Sequence, residues 1–107
     1  MVDVLKYAAD QPWSQKYIDS LPVAGKDGTL RRRMRGGSAA GRVVAKTGYI
    51  SGVSGLSGYI LDREGRPSIA FSMLFNDFPR SQLWRIMQIQ DTICVELVKY
   101  SDRMDLQ

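Results

Sequence analysis

The sequence predicts an α+β fold: a three-stranded antiparallel meander, a long C-terminal helix packed on it, and short N-terminal helices. Three observations carry that expectation. Between residues 42 and 76 the chain is rich in β-branched and aromatic residues and is broken only by short Gly-bearing links. From Leu83 to Val98 apolar residues recur at helical spacing for about four turns. Before Pro22, apolar residues recur in two shorter helical runs. The 107 residues are 44% hydrophobic and 24% charged, which suits one small globular unit with a modest core.

The elements follow in order. Val4, Leu5, Tyr7 and Ala8 make the first helical run, which breaks near Gln11-Pro12. Trp13, Tyr17 and Ile18 share one face of a second short helix, with Pro12 in its first turn and Leu21-Pro22 as its end. Gly25 and Gly28 flank Asp27 in a turn. Residues 30–34 have room for one helical turn, and Gly36-Gly37-Ser38 is a flexible connection. Val43, Val44, Thr47 and Tyr49 mark a strand over residues 42–50. Gly52 and Gly55 mark a loop before a second strand over residues 56–62. Arg63-Glu64-Gly65-Arg66 is a tight polar link. Residues 68–76 form a third strand, apolar on both faces and therefore expected to be buried on both sides. Pro79 opens the last element, whose stripe runs through Leu83, Ile86, Met87, Gln90, Ile93, Cys94, Leu97 and Val98.

Composition narrows the chemistry. One cysteine, Cys94, permits no intrachain disulfide and reads as a small core residue. With no histidine, Ser-His-Asp and Cys-His catalysis are excluded within the chain, and the ligand set for a metal site is poor. No apolar run has membrane-spanning length, and Asp3, Lys6 and Asp10 make the first residues unlike a secretory signal. The net charge of +4 is concentrated at Arg31, Arg32, Arg33, Arg35 and Arg42. Such a cluster attracts anionic polymers or, more commonly, forms a solvated loop face.

The informative stretch is Gly41-Arg42-Val43-Val44-Ala45-Lys46-Thr47-Gly48. Lys-Thr-Gly is a common tripeptide by itself. Here it lies on an expected strand followed by a Gly-rich turn, two further strands and a long helix, which is the order seen in penicillin-recognising serine enzymes. Residues 20–25, 27–33, 39–48, 52–59 and 70–76 extend the likeness. Together they resemble the D-alanyl-D-alanine carboxypeptidase/endopeptidase family of class C low-molecular-mass penicillin-binding proteins, over about residues 13–100.

The resemblance implies part of a penicillin-binding/β-lactamase-like transpeptidase fold, with residues 1–107 as a single partial domain from the C-terminal segment of its catalytic domain. It implies that Lys46 and Thr47 hold the carboxylate of a peptidoglycan peptide ending in D-Ala-D-Ala, through charge-assisted hydrogen bonds. Gly48 would let the substrate approach the strand backbone, and an extended peptide would add to the strand edge. The backbone N–H of Tyr49 would be an oxyanion-hole donor, a role typically worth about 3–4 kcal/mol. No metal or cofactor is implied, and a periplasmic or extracytoplasmic location is.

Two departures from the family pattern stand out. Tyr49 replaces the usual Thr or Ser after Lys-Thr-Gly. No serine has Lys three positions later or Asn two positions later, so neither the Ser-x-x-Lys nor the Ser-x-Asn motif occurs. The expectation is the C-terminal segment of a longer serine-type hydrolase, natural or truncated, inactive when isolated. Its apolar third strand and final helix, with Trp84 and Ile89 off the main stripe, would be covered by an N-terminal portion or by self-association. Two alternatives stand beside this expectation. A non-catalytic module would bind peptidoglycan peptides without turnover. An anionic-polymer or nucleic-acid binder would use the arginines, although the chain lacks a recognised nucleic-acid fold signature or an aromatic stacking run.

Overall fold

The computed structural model describes residues 2–50 and 52–105. The helices are α1 (Val2–Ala9), α2 (Ser14–Asp19) and α3 (Leu83–Asp105); the strands are β1 (Val43–Ile50), β2 (Val53–Leu61) and β3 (Pro67–Asn76). Short 3₁₀ turns occupy Gly28–Leu30 and Arg80–Gln82. The strands form one antiparallel sheet in the order β1-β2-β3, the meander that the short links predict.

Register sorts the side chains onto two faces, because successive residues of a strand point to opposite sides. Val43 lies opposite Ile60, Ala45 opposite Gly58, and Gly58 opposite Phe71. That face carries Val43, Ala45, Leu56, Ile60 and Phe71, which pack with Cys94 and Val98 of α3 and with Leu30 and Ala39 of the preceding loop. The other face carries Val44, Tyr59 and Leu61, which pack with Leu5 of α1, Ile18 of α2 and Leu21. Leu56 and Ile60 are fully buried, and each such side chain contributes about 1.5–3 kcal/mol of transfer free energy. Tyr59 spans its face and donates its hydroxyl proton to the Leu5 carbonyl, tying α1 to the central strand. The β2–β3 link turns on Asp62, whose carboxylate accepts the N–H groups of Glu64 and Arg66, both at 2.9 Å, while Gly65 takes φ +83°.

Several local expectations change. Double-sided burial belongs to β2, the central strand, whereas β3 is an edge: Phe71 is its one buried residue and Leu74 is 70% exposed. Gly55 is inside β2, opposite Gly48, rather than in a loop. The turn expected at residues 30–34 forms earlier, at Gly28–Leu30. Pro12 precedes α2, which starts after Trp13. On α3 the sheet-facing row is Gln90, Cys94, Val98 and Ser101, all buried, while Ile93 is 38% exposed on the flank. Burial pushes the Cys94 thiol up to about 12, with Asp91 adding and Arg33 opposing, so Cys94 is the inert core residue that the sequence suggests.

Candidate functional site

The outer edge of β1 is divided in two. Along residues 43–45 it is closed by the preceding chain. Ala24 donates its N–H to the Val43 carbonyl at 2.9 Å, Ala45 donates to the Pro22 carbonyl at 3.0 Å, and Val23 bridges Val44. The Ala45 N–H therefore points outward, away from β2. Strand alternation gives Thr47 and Tyr49 the same outward direction for their N–H and C=O groups. Beyond Ala45 no bridge to the preceding chain continues among the described residues. The edge from Lys46 to Ile50 thus presents outward main-chain groups, at Thr47 and Tyr49, that have no backbone partner among the described residues and are of the kind that accept an added strand.

The four residues singled out from the sequence lie along this open edge. Lys46 is exposed, and its ammonium donates to the outward Thr47 carbonyl at 2.7 Å. Thr47 points to the opposite face, where its hydroxyl donates to the Thr29 hydroxyl at 3.0 Å. Gly48 opens onto free space, since a Cβ placed there would meet nothing within 4 Å. Tyr49 is 40% exposed. Thr47, Gly48 and Tyr49 line a cavity of about 150 Å³ with Thr29, Arg33, Leu83 and Met87. The Lys46 side chain does not line that cavity; it meets the others only at the strand edge, through its bond to Thr47.

A buried polar network supports the cavity from behind. Arg33, nearly fully buried, donates to Asp91 through Nε at 2.9 Å and Nη2 at 2.6 Å. The same Nη2 donates to the Met87 carbonyl at 3.2 Å and to Gln90 Oε1 at 3.1 Å. Gln90 in turn donates to the Ser54 hydroxyl at 3.3 Å. Ser54 lies opposite Tyr49 in the sheet. Loop, helix and β2, the neighbour of the site strand, are therefore joined through Arg33 and Gln90, and no buried side-chain polar atom among the described residues lacks a partner.

The arginine cluster read from the sequence does not act as one patch. Arg33 is consumed by Asp91, and Arg42 donates to Asp102 at 2.6 Å and to the Leu61 carbonyl at 2.8 Å. Arg31, Arg32 and Arg35 are exposed. Sequence reasoning also missed Thr29 as a site residue. Its signal was present in the Asp27-Gly28-Thr29-Leu30 turn, but its partner lies 18 residues away and only the fold brings them together. Among the described residues no group of His, Cys, Asp or Glu could hold a metal. No described helix is long and apolar enough to cross a membrane.

A profile of the D-Ala-D-Ala carboxypeptidase 3 (S13) family matches residues 1–95. The chain belongs to this family. It is 44% identical over 106 residues to a D-alanyl-D-alanine carboxypeptidase of an Actinomadura species, covering 94% of this chain and 19% of that protein. It is 41% identical over 88 residues to penicillin-sensitive carboxypeptidase A of Dictyostelium discoideum, covering 78% of this chain and 17% of that protein. Its fold superimposes with a TM-score of 0.70 on a crystal structure of penicillin binding protein 4 from Haemophilus influenzae in complex with a β-lactam. The two are 26% identical, and the match covers 91% of this chain and 24% of the other. The chain thus spans about a fifth of the length of the curated relatives it matches and corresponds to the C-terminal part of the family's proteins.

Proposed function

We propose that this chain is the substrate-holding wall of a serine-type D-Ala-D-Ala carboxypeptidase acting on peptidoglycan peptides. In this reading residues 1–107 are one partial domain of a longer catalytic unit. The ammonium of Lys46 and the hydroxyl of Thr47 hold the carboxylate of the terminal D-alanine by charge-assisted hydrogen bonds. Gly48 lets the peptide lie against the strand, and the outward N–H of Tyr49 donates to the oxyanion that forms at the scissile carbonyl. The observation that carries the reading is the open edge of β1, which has no backbone partner from Lys46 to Ile50 among the described residues while residues 43–45 are closed.

The attacking serine and its activating lysine come from elsewhere in such an enzyme, because no Ser-x-x-Lys or Ser-x-Asn occurs here. Acylation of that serine by the penultimate D-Ala carbonyl breaks the peptide bond and releases D-alanine. Water then cleaves the acyl-serine ester and restores the serine. Residues 46–49 bind and orient and do not attack. The reading implies work outside the cytoplasmic membrane, where peptidoglycan lies. Exposed Ile50, Leu74 and Trp84 support a partner over the open surface, either the remainder of a longer enzyme or a second copy.

The test is an NMR titration of the ¹⁵N-labelled chain with an N-acetylated peptide ending in D-Ala-D-Ala, alongside the same peptide as its C-terminal amide. The expected result is saturable shifts at residues 46–49 with the acid and much weaker ones with the amide. Equal response to both, or shifts confined to the exposed arginines, overturns the reading. Incubation with a penicillin should leave the intact mass of the chain unchanged; a stoichiometric adduct would mean that a serine in this chain is itself activated.

A further inference from the structure

We infer that Thr29 is a positioning residue for this site: its hydroxyl fixes the rotamer of Thr47 and supplies the hydrogen bond that frees the Thr47 proton for a substrate carboxylate. The inference rests on the carboxylate-holding reading of residues 46–49 and adds a residue from a separate segment.

The argument starts from hydroxyl chemistry. A threonine hydroxyl has one proton to donate and two lone pairs. In the structure Thr47 spends that proton on Thr29, at an oxygen–oxygen distance of 3.0 Å. A carboxylate accepts and cannot donate. For Thr47 to serve it, the Thr47 proton must turn toward the carboxylate, and the contact with Thr29 must run in reverse. Thr29 has the proton for this. Each oxygen then makes a better bond, since donors that also accept polarise one another. A valine at position 29 has nearly the same shape and neither capacity.

Thr29 is held firmly enough for the task. It sits in the middle of the Gly28–Leu30 turn. Ahead of the turn, the Asp27 carboxylate accepts the Val23 N–H at 2.8 Å. After it, Leu30 is fully buried, and its carbonyl accepts the N–H groups of Gly25 and Arg33, both at 3.0 Å. Arg33 then anchors the segment to Asp91 on α3. Gly28, at φ +57°, presses against Pro22, where an added Cβ would come within 3.0 Å of the proline Cβ. The turn is clamped at both ends while Thr29 itself is exposed. An exposed hydroxyl has water as an alternative partner, so the Thr29–Thr47 bond adds little to folding and its effect is directional.

Thr29→Val and Thr29→Ser test this in the whole chain. The Thr47 rotamer is read from its three-bond ¹⁵N–¹³Cγ and ¹³C′–¹³Cγ couplings. One rotamer is expected in the parent chain and in Thr29→Ser, and averaging in Thr29→Val. In the peptide titration, Thr29→Val should bind the acid about 3- to 10-fold more weakly, with affinity for the amide unchanged, and Thr29→Ser should restore the parent value. A single Thr47 rotamer in Thr29→Val, or equal loss for acid and amide, overturns the inference. If the parent chain fails to prefer the acid, the carboxylate reading falls instead, and the couplings still decide whether Thr29 positions Thr47.

Discussion

One strand serves both the core and the candidate site, and its two halves contrast sharply. Residues 43–45 of β1 are buried and bridged on their outer edge; residues 46–50 are mostly exposed, and among the described residues that edge has no backbone partner. The first half serves the core, and the second is free to serve a ligand. The division falls where the preceding chain, having paired at Pro22–Ala24, turns away into the Gly28–Leu30 turn and returns as Thr29 on one face of the strand. Stability and recognition are therefore separable by mutation along a few consecutive residues.

Two glycines provide the largest test of that separation. Gly58 lies opposite Ala45 in the closed half. A Cβ there would collide with the Val44 carbonyl oxygen and come within 2.6 Å of the Ala45 Cα. Neither is a flexible side-chain end, so the sheet itself must shift. Gly58→Ala is expected to cost about 3–5 kcal/mol, most of the stability of a small domain, read as a lost or sharply lowered urea midpoint. Gly48, opposite Gly55 in the open half, has nothing within 4 Å of the same added atom. Gly48→Ala should stay within about 0.5 kcal/mol of the parent in the same melt, yet weaken binding of the D-Ala-D-Ala peptide about tenfold or more, because the methyl occupies the line of approach. Unchanged binding in Gly48→Ala would remove close backbone contact from the mechanism; an ordinary melt for Gly58→Ala would remove the tight packing of the closed half.

The arginines sharpen the contrast at a smaller scale. Arg33→Ala strands Asp91 and Gln90 beneath the site and should cost about 3 kcal/mol, since breaking a largely buried pair leaves a charge without its partner. Arg31→Ala, two residues earlier and exposed, should change the melt by no more than about 0.5 kcal/mol. Similar losses in the two variants would mean that the cluster works as a unit and that Arg33 is not the special member.

That same pair shows what the sequence carried and what it did not. The meander and the final helix were legible because alternation, short Gly-bearing links and helical spacing are local signals. Lys46 to Tyr49 were singled out by their motif and its neighbours, and they lie together along the open half of β1. Arg33 was not: its sequence neighbours are exposed arginines, and only its contact with Asp91, 58 residues on, makes it a buried clamp. Thr29 was hidden for the same reason. The apolar alternation of β3 suggested burial on both sides, but which strand lies in the centre depends on sheet order, and β2 holds that place. Gln90 sat in the helical stripe as a polar exception; the structure explains it as the joint between Arg33 and Ser54.

The smallest effect concerns the anchored end of the strand. Arg42, just ahead of β1, donates to the Asp102 carboxylate on α3. That hydrogen bond, aided by the charges of Arg42 and Arg63 and opposed by desolvation, holds the Asp102 carboxyl below the usual carboxylate range. A carboxyl whose pKa is lower in the folded chain binds protons more readily when unfolded. Its stabilising contribution is therefore complete above the unfolded aspartate value of about 3.9 and is lost as pH falls through the depressed folded value. Melting temperature should then drop more steeply below about pH 4 in the parent chain than in Asp102→Asn, which lacks the titrating group. The Arg63 contact, at 3.5 Å and largely exposed, adds little to that difference. Among the described residues none of the ion pairs reaches residues 46–50, so acid should loosen the closed half of β1 through its anchor before it disturbs the open half. Parallel acid limbs for the parent chain and Asp102→Asn would show instead that the Arg42 anchor rests on its bond to the Leu61 carbonyl, which does not titrate.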